Sequence, residues 1–175
     1  MTINSNSLFT TGLLFLRLRA IALALRIVHS VNRIERSIVV FPMHWLIKEE
    51  PTHYSYDDLV RDGKTMWSGV RNPLAQKHLQ SMHKGDLIFF YHTGDQKAIV
   101  GIAKAASAPY PDPADSAGKL HAIDVVPVKK LKSPVTLAAV KADKAFASFP
   151  LVRMSRLSVM PVTDDEWKRI EAMAG

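Results

Sequence analysis

The sequence predicts an α+β domain built on a small, curved, barrel-like mixed sheet of about five strands flanked by short helices. Three observations predict it. From residue 43 onward, segments rich in branched and aromatic side chains alternate with short stretches that carry helix caps, and turn-forming residues separate them. No internal repeat or low-complexity tract interrupts this pattern. At 175 residues the chain has the size of one domain able to bury a core without metal or disulfide staples.

The elements follow in order. HWLIK (44–48) alternates little between apolar and polar and reads as a buried strand. In SYDDLVRDG, Ser55 stands at the N-cap with Asp58 three residues on, a capping box, and Gly63 ends the short helix. NPLAQKHLQSM supplies Asn72 as N-cap and Pro73 at the first helical position, with Leu74, His78, Leu79 and Met82 on one face. GDLIFFYH (85–92) and KAIVGIAKAAS (97–107), both bounded by turn residues, make an antiparallel pair. APYPDPADSAG (108–118) reads as a surface loop between strands. HAIDVVPVKKL (121–131) is a further strand in which Pro127 demands an edge or a bulge. TLAAVKADKAF (136–146) is helical, SRLSVMPV (155–162) is the last strand, and Thr163 with Glu166 forms a capping box on the closing helix.

Composition removes several function classes. The absence of cysteine excludes a disulfide framework, a thiol nucleophile and a cysteine-rich zinc site. The net charge of +7 suggests nucleic acid until its location is considered. Residues 1–42 hold five arginines (17, 19, 26, 33 and 36) against Glu35, giving +4, so the remaining 133 residues contribute only +3. A nucleic-acid partner must therefore be argued from a site. Residues 1–42 are apolar but broken by Arg17, Arg19 and Arg26, short of the ~18–20 uninterrupted residues of a stable membrane span. The segment does not conform to the pattern that follows. It reads as an over-extended start preceding Met43, or as a targeting or interfacial amphipathic stretch.

The histidines (29, 44, 53, 78, 83, 92 and 121) show no metal-ligand spacing, and His78 and His83, five apart, leave one helix face; no metal or other cofactor is expected. A hydrolytic triad can be composed from Ser68 or Ser158, His92 and Asp86, but no G-x-S-x-G elbow surrounds a serine and no phosphate-binding G-x-x-x-x-G-K loop occurs. WSGVRNPLAQKHL (67–79) is more informative. Trp67 alone reads as core, Asn72 as a cap and Arg71 as a surface charge. Together they meet the demands of a nucleotide site: an indole to stack on a base, an arginine for phosphate, and free N–H groups at a helix start.

WLIKEEP (45–51), WSGVRNPLAQKHL (67–79), KGDLIFFYHTG (84–94), IVGIAKA (99–105), YPDP (110–113) and RLSVMPVTDDEW (156–167) resemble, in order and spacing, the EVE domain family, which is related to thymocyte nuclear protein. The resemblance covers nearly all of 43–175 and none of 1–42. It implies a PUA-like pseudo-barrel akin to YTH domains and a non-catalytic reader that accepts a flipped, modified base of DNA or RNA in an aromatic pocket. By this resemblance Trp67 is the stacking wall. Asn72 and the backbone near Ser68, Gly69 and Val70 read the base edge, Lys48 and Glu49 line the opposite side, and Tyr91 and His92 close it. Arg71, Lys77 and Arg156 are expected to hold flanking phosphates.

Two residues depart from the family pattern. Glu49 stands where a serine is common, offering a carboxylate to an exocyclic amine such as cytosine N4 or adenine N6. Ser68 replaces the usual aspartate. The expected location is cytoplasmic, or nucleoid or nuclear for a DNA reader, with organelle targeting by residues 1–42 as an alternative. The rival function is an RNA-processing or nucleotide-hydrolysing enzyme.

Overall fold

Strand β1 (His44–Glu49) runs inside the sheet, with a neighbour on either side, because three consecutive apolar residues, Trp45, Leu46 and Ile47, leave it no polar face. It pairs in parallel with β3 (Leu87–His92) and antiparallel with β7 (Val159–Val162). The computed structural model describes residues 43–175. Residues 1–42, with the start-site, targeting and interfacial readings made of them, lie outside the described residues. Among the described residues, no helix is long and apolar enough to cross a membrane.

The sheet runs β2 (Thr65–Trp67), β6 (His121–Thr136), β4 (Ala98–Ala105), β3, β1, β7, and β5 (Tyr110–Pro111) pairs with β6 off this path. It is mixed and curls into a half-barrel. The described sheet thus has seven strands rather than about five. The additions β2 and β5 span three and two residues, too short to show a period of their own. The expected pair 85–92 and 97–107 forms as β3 and β4, with one register shift after Phe90. Pro127 sits at a bulge, where the pairing steps from Ile102↔Lys129 to Ala103↔Pro127. The strand itself is interior around residues 123–125, with β2 on one side and β4 on the other.

Helix α1 (Tyr56–Asp62) has the expected capping box, and Gly63 ends it in the left-handed conformation at φ 71°. Helix α2 (Pro73–Gln80) starts at the Asn72 cap, but its inward face differs from expectation. Ala75, Gln76 and Leu79 are buried while Leu74 is exposed, and Met82 is buried beyond the helix end. The face has turned toward Gln76, which is buried because its amide joins separate backbones: it donates to Val70 O at 2.8 Å and His121 O at 3.1 Å, and accepts from His121 N–H at 3.0 Å.

The helix expected over 136–146 divides at Asp143. Helix α3 (Leu137–Ala142) ends there, and the Asp143 side chain caps a 3₁₀ turn (Lys144–Phe146). Helix α4 (Pro150–Arg153) is a single turn, and the last strand begins at Val159 instead of Ser155. Helix α5 (Asp164–Ala174) carries the Thr163–Glu166 capping box and presses Trp167 flat on Phe89, ring centroids 3.7 Å apart.

Candidate nucleic-acid interface

The end of β1 organises the site. Alternation along the strand sends Lys48 and Glu49 to opposite faces, and the parallel register places them beside Tyr91 and His92 of β3 respectively. On the Glu49 side lies a cavity of about 200 Å³, walled by Glu49, His53 and Tyr54 and, across from them, by Thr65, Met66, Trp67 and Ser68. The Glu49 Oε1 atom accepts the Glu50 N–H at 2.9 Å and lies 3.3 Å from His53 Nδ1, an ion pair when that imidazole is protonated. The Tyr54 hydroxyl donates to Asp62 Oδ2 at 3.1 Å. Burial, followed by smaller effects that include this carboxylate, raises its pKa above the ordinary value.

Trp67 reaches the cavity from the end of β2, which β6 fixes through the pair Trp67↔Ile123. The residue is only 6% exposed, and its indole stands nearly perpendicular to Phe90, with centroids 5.4 Å apart. Trp67 is therefore core residue and cavity wall at once. The chain then turns through Gly69, whose φ of 70° suits a residue without Cβ. Its N–H donates to Asp112 Oδ2 at 3.0 Å, while Asp112 Oδ1 accepts the Ala114 N–H at 2.9 Å. With the Gln76 amide on Val70 O, the turn after Trp67 is pinned from two sides.

The structure separates the residues expected in one base pocket. Glu49, Trp67 and Ser68 line the cavity just described. Lys48 and Tyr91 line a second cavity, on the other face of β1. His92 lines a third, of about 470 Å³. Gly69, Val70 and Asn72 line none of these three. Val70 is buried in the core. Asn72 Oδ1 is occupied by the helix, accepting Leu74 N–H at 2.9 Å and Ala75 N–H at 3.1 Å. Arg71, Lys77 and Arg156 are exposed.

The hydrolytic candidates also stand apart. His92 Nε2 accepts the Tyr56 N–H at 3.0 Å, and Nδ1 donates to Gln96 Oε1 at 2.6 Å. Asp86, 1% exposed, accepts the Trp45 indole N–H at 2.8 Å and the N–H groups of Met43 and His83 at 3.0 and 2.9 Å. Neither acid nor base is linked to Ser68. Among the described residues, no group of three His, Asp or Glu side chains is placed to hold a metal.

Four cavity residues, His53, Tyr54, Thr65 and Met66, escape the sequence, as does the buried carboxylate of Asp112 that fixes the turn. The available signals were slight: Tyr54 directly precedes the Ser55 cap, and Asp112 lies in the YPDP block.

Thymocyte nuclear protein 1 of Gallus gallus is 32% identical over 158 residues, an alignment covering 71% of this chain and 65% of that protein, so the chain spans just under two thirds of that relative's length. A Rhodopseudomonas palustris protein solved by NMR superposes with a TM-score of 0.73 at 47% identity, covering 76% of this chain and 93% of that one. Human THYN1 protein, crystallised in complex with DNA containing 5-methylcytosine, superposes with a TM-score of 0.69 at 28% identity, covering 75% of this chain and 97% of that one. The fold is PUA-like. With an EVE domain model matching residues 43–173, the chain belongs to the EVE domain family.

Proposed function

We propose that the protein is a non-catalytic DNA-binding domain that seats one modified cytosine, of the 5-methylcytosine class, in the cavity between Glu49 and Trp67. The observation that carries this reading is the pairing, in one small cavity, of a carboxylate with an indole. At about 200 Å³ the cavity is below the ~300–1,000 Å³ of drug-sized sites and suits a single planar ring. The hydrogen bonds of Glu49 within the chain go to Oε1, so Oε2 is the oxygen assigned to a cytosine N4 amine. Thymine presents a carbonyl at that position and is disfavoured. The complex of human THYN1 protein with 5-methylcytosine DNA supports the choice of base and backbone.

Energetics set what else is needed. Taking a base out of a duplex costs a few kcal/mol, and stacking on an aromatic returns roughly 1–3 kcal/mol. The Glu49 contact and cationic contacts to flanking phosphates, from Arg71, Lys77 and Arg156, supply the remainder. Burying one methyl contributes about 0.8 kcal/mol, roughly a fourfold preference for methylated over plain cytosine. The hydrolytic alternative has lost its triad, because Asp86 and His92 serve separate backbones.

Fluorescence anisotropy with oligonucleotides differing at one base, in DNA and RNA backbones, tests the proposal. Tighter binding to 5-methylcytosine than to cytosine, and to cytosine than to thymine, is expected on DNA. Equal affinity for all three would sink it.

A further inference from the structure

The cavity on the other face of β1, also about 200 Å³, is lined by three lysines from three elements: Lys48 of β1, Lys97 of the β3–β4 turn and Lys141 of α3. No carboxylate lines it, and among the described residues none of the three lysines forms an ion pair. The nearby acid Glu50 accepts a hydrogen bond from Thr93 Oγ1 at 2.8 Å. Lys48 is half-buried, with its ammonium donating to Ser155 O and lying 6.0 Å from the centre of the Tyr91 ring. Burial pushes its pKa down.

Backbone geometry places the other two lysines. Lys97 has φ 43°, a left-handed conformation unusual for a residue other than glycine. Its carbonyl accepts the Leu137 N–H at 2.7 Å, which ties the turn to the start of the helix that bears Lys141. Both side chains are exposed, at the mouth of the cavity. Like charges gathered this way repel unless an anion joins them. Leu137 and Leu151 add an apolar wall, which suits the carbon face of a sugar attached to that anion.

We infer that this cavity binds a phosphate of a nucleic-acid strand, the same strand whose base enters the Glu49 cavity. The second half of that statement rests on the proposed function. Lys48 and Glu49 are consecutive at the end of β1, so a nucleic-acid strand that seats a base beside Glu49 passes round that end to reach the lysines on the opposite face. Base and backbone are then held on either side of β1.

The test is the full chain carrying Lys97→Asn and Lys141→Gln together, with Lys48 untouched. Asparagine tolerates the left-handed backbone, and neither side chain is part of the core. A control double variant, Lys132→Gln with Lys168→Gln, removes equal charge elsewhere. Binding of a 5-methylcytosine DNA oligonucleotide is measured across a series of salt concentrations. Relative to the control, the cavity variant is expected to bind about tenfold more weakly and to show a log–log salt slope shallower by roughly 0.9, one phosphate contact. Its ratio of methylated to plain affinity should be unchanged.

A cavity variant indistinguishable from the control overturns the inference. Loss confined to a 5′-phosphorylated mononucleotide, with oligonucleotide binding unmoved, overturns the assignment to a strand. If the wild type shows no base preference while the cavity variant still flattens the salt slope, the Glu49 reading fails and the phosphate site stands.

Discussion

Trp67 stands nearly perpendicular to Phe90, ring centroids 5.4 Å apart, so the residue that walls the cavity is also part of the core. Trp67→Ala should therefore lower unfolding free energy by about 3–5 kcal/mol in urea titrations, beyond any effect on ligand. Trp67→Phe keeps an aromatic against Phe90 and should retain most of that stability while weakening the preference for modified DNA. An alanine variant as stable as the wild type would show that the indole contributes only to the cavity.

In the proposed function, Glu49 is the chemical discriminator. Glu49→Gln preserves size but replaces an oxygen acceptor by an amide donor and removes the charge. The preference for cytosine over thymine should fall about tenfold, in line with the ~1.5–3 kcal/mol of a hydrogen bond to a charged group. Competition binding measures it, and an unchanged ratio would remove the carboxylate from base readout.

Asp112 acts through the turn after Trp67. Asp112→Ala frees the N–H groups of Gly69 and Ala114, at a cost of about 1–3 kcal/mol for each one left unpaired away from water. Hydrogen exchange at the Gly69 amide should accelerate, and affinity for methylated DNA should fall with it. Unaltered exchange there would mean that the Gln76 bond to Val70 alone holds the turn.

For Asp86, the hydrolytic and structural roles predict different losses. Asp86→Ala leaves the Trp45 indole and two backbone N–H groups without their acceptor, so destabilisation of roughly 3 kcal/mol or more is expected. The folded fraction should retain its base preference. Calorimetric melts and anisotropy on the same sample separate the two effects.

Tyr110 donates its hydroxyl to Asp124 Oδ1 at 2.8 Å, and burial together with that carboxylate pushes its pKa up to about 12. A phenol with a raised folded-state value contributes stability that is complete below its ordinary value of 10.0 and is lost as pH rises toward about 12. Burial raises the other three tyrosines as well, so tyrosinate absorbance should show one late-titrating group fewer in Tyr110→Phe, whose stability should vary less between pH 10 and 12. Loss of the late group in Asp124→Asn would confirm the acceptor's share.

What the sequence made legible was local or strongly patterned. The caps at Ser55, Asn72 and Thr163 are satisfied within three residues, so spacing sufficed to place them. Trp67, Ser68 and Glu49 were brought together by a resemblance spread over six blocks, and they do share a cavity. The remainder depends on partners distant in the chain. Three residues become β2 because β6 pairs with them, and Asp112 gains its role from an amide 43 positions away. The resemblance assigns Lys48 to the base pocket, although the period of two places it opposite Glu49, which the strand enforces.

The place of β1 between β3 and β7 has a consequence for synthesis. One flank of this first strand can pair as soon as β3 follows it, but the other waits for residues 159–162, near the end of the described chain. Until they are made, a nascent domain exposes an unpaired apolar strand edge beside a Phe89 not yet covered by Trp167. The ribosome-bound chain would therefore hold the sheet half-built, and ligand binding should arise abruptly, only once the final strand and helix have emerged.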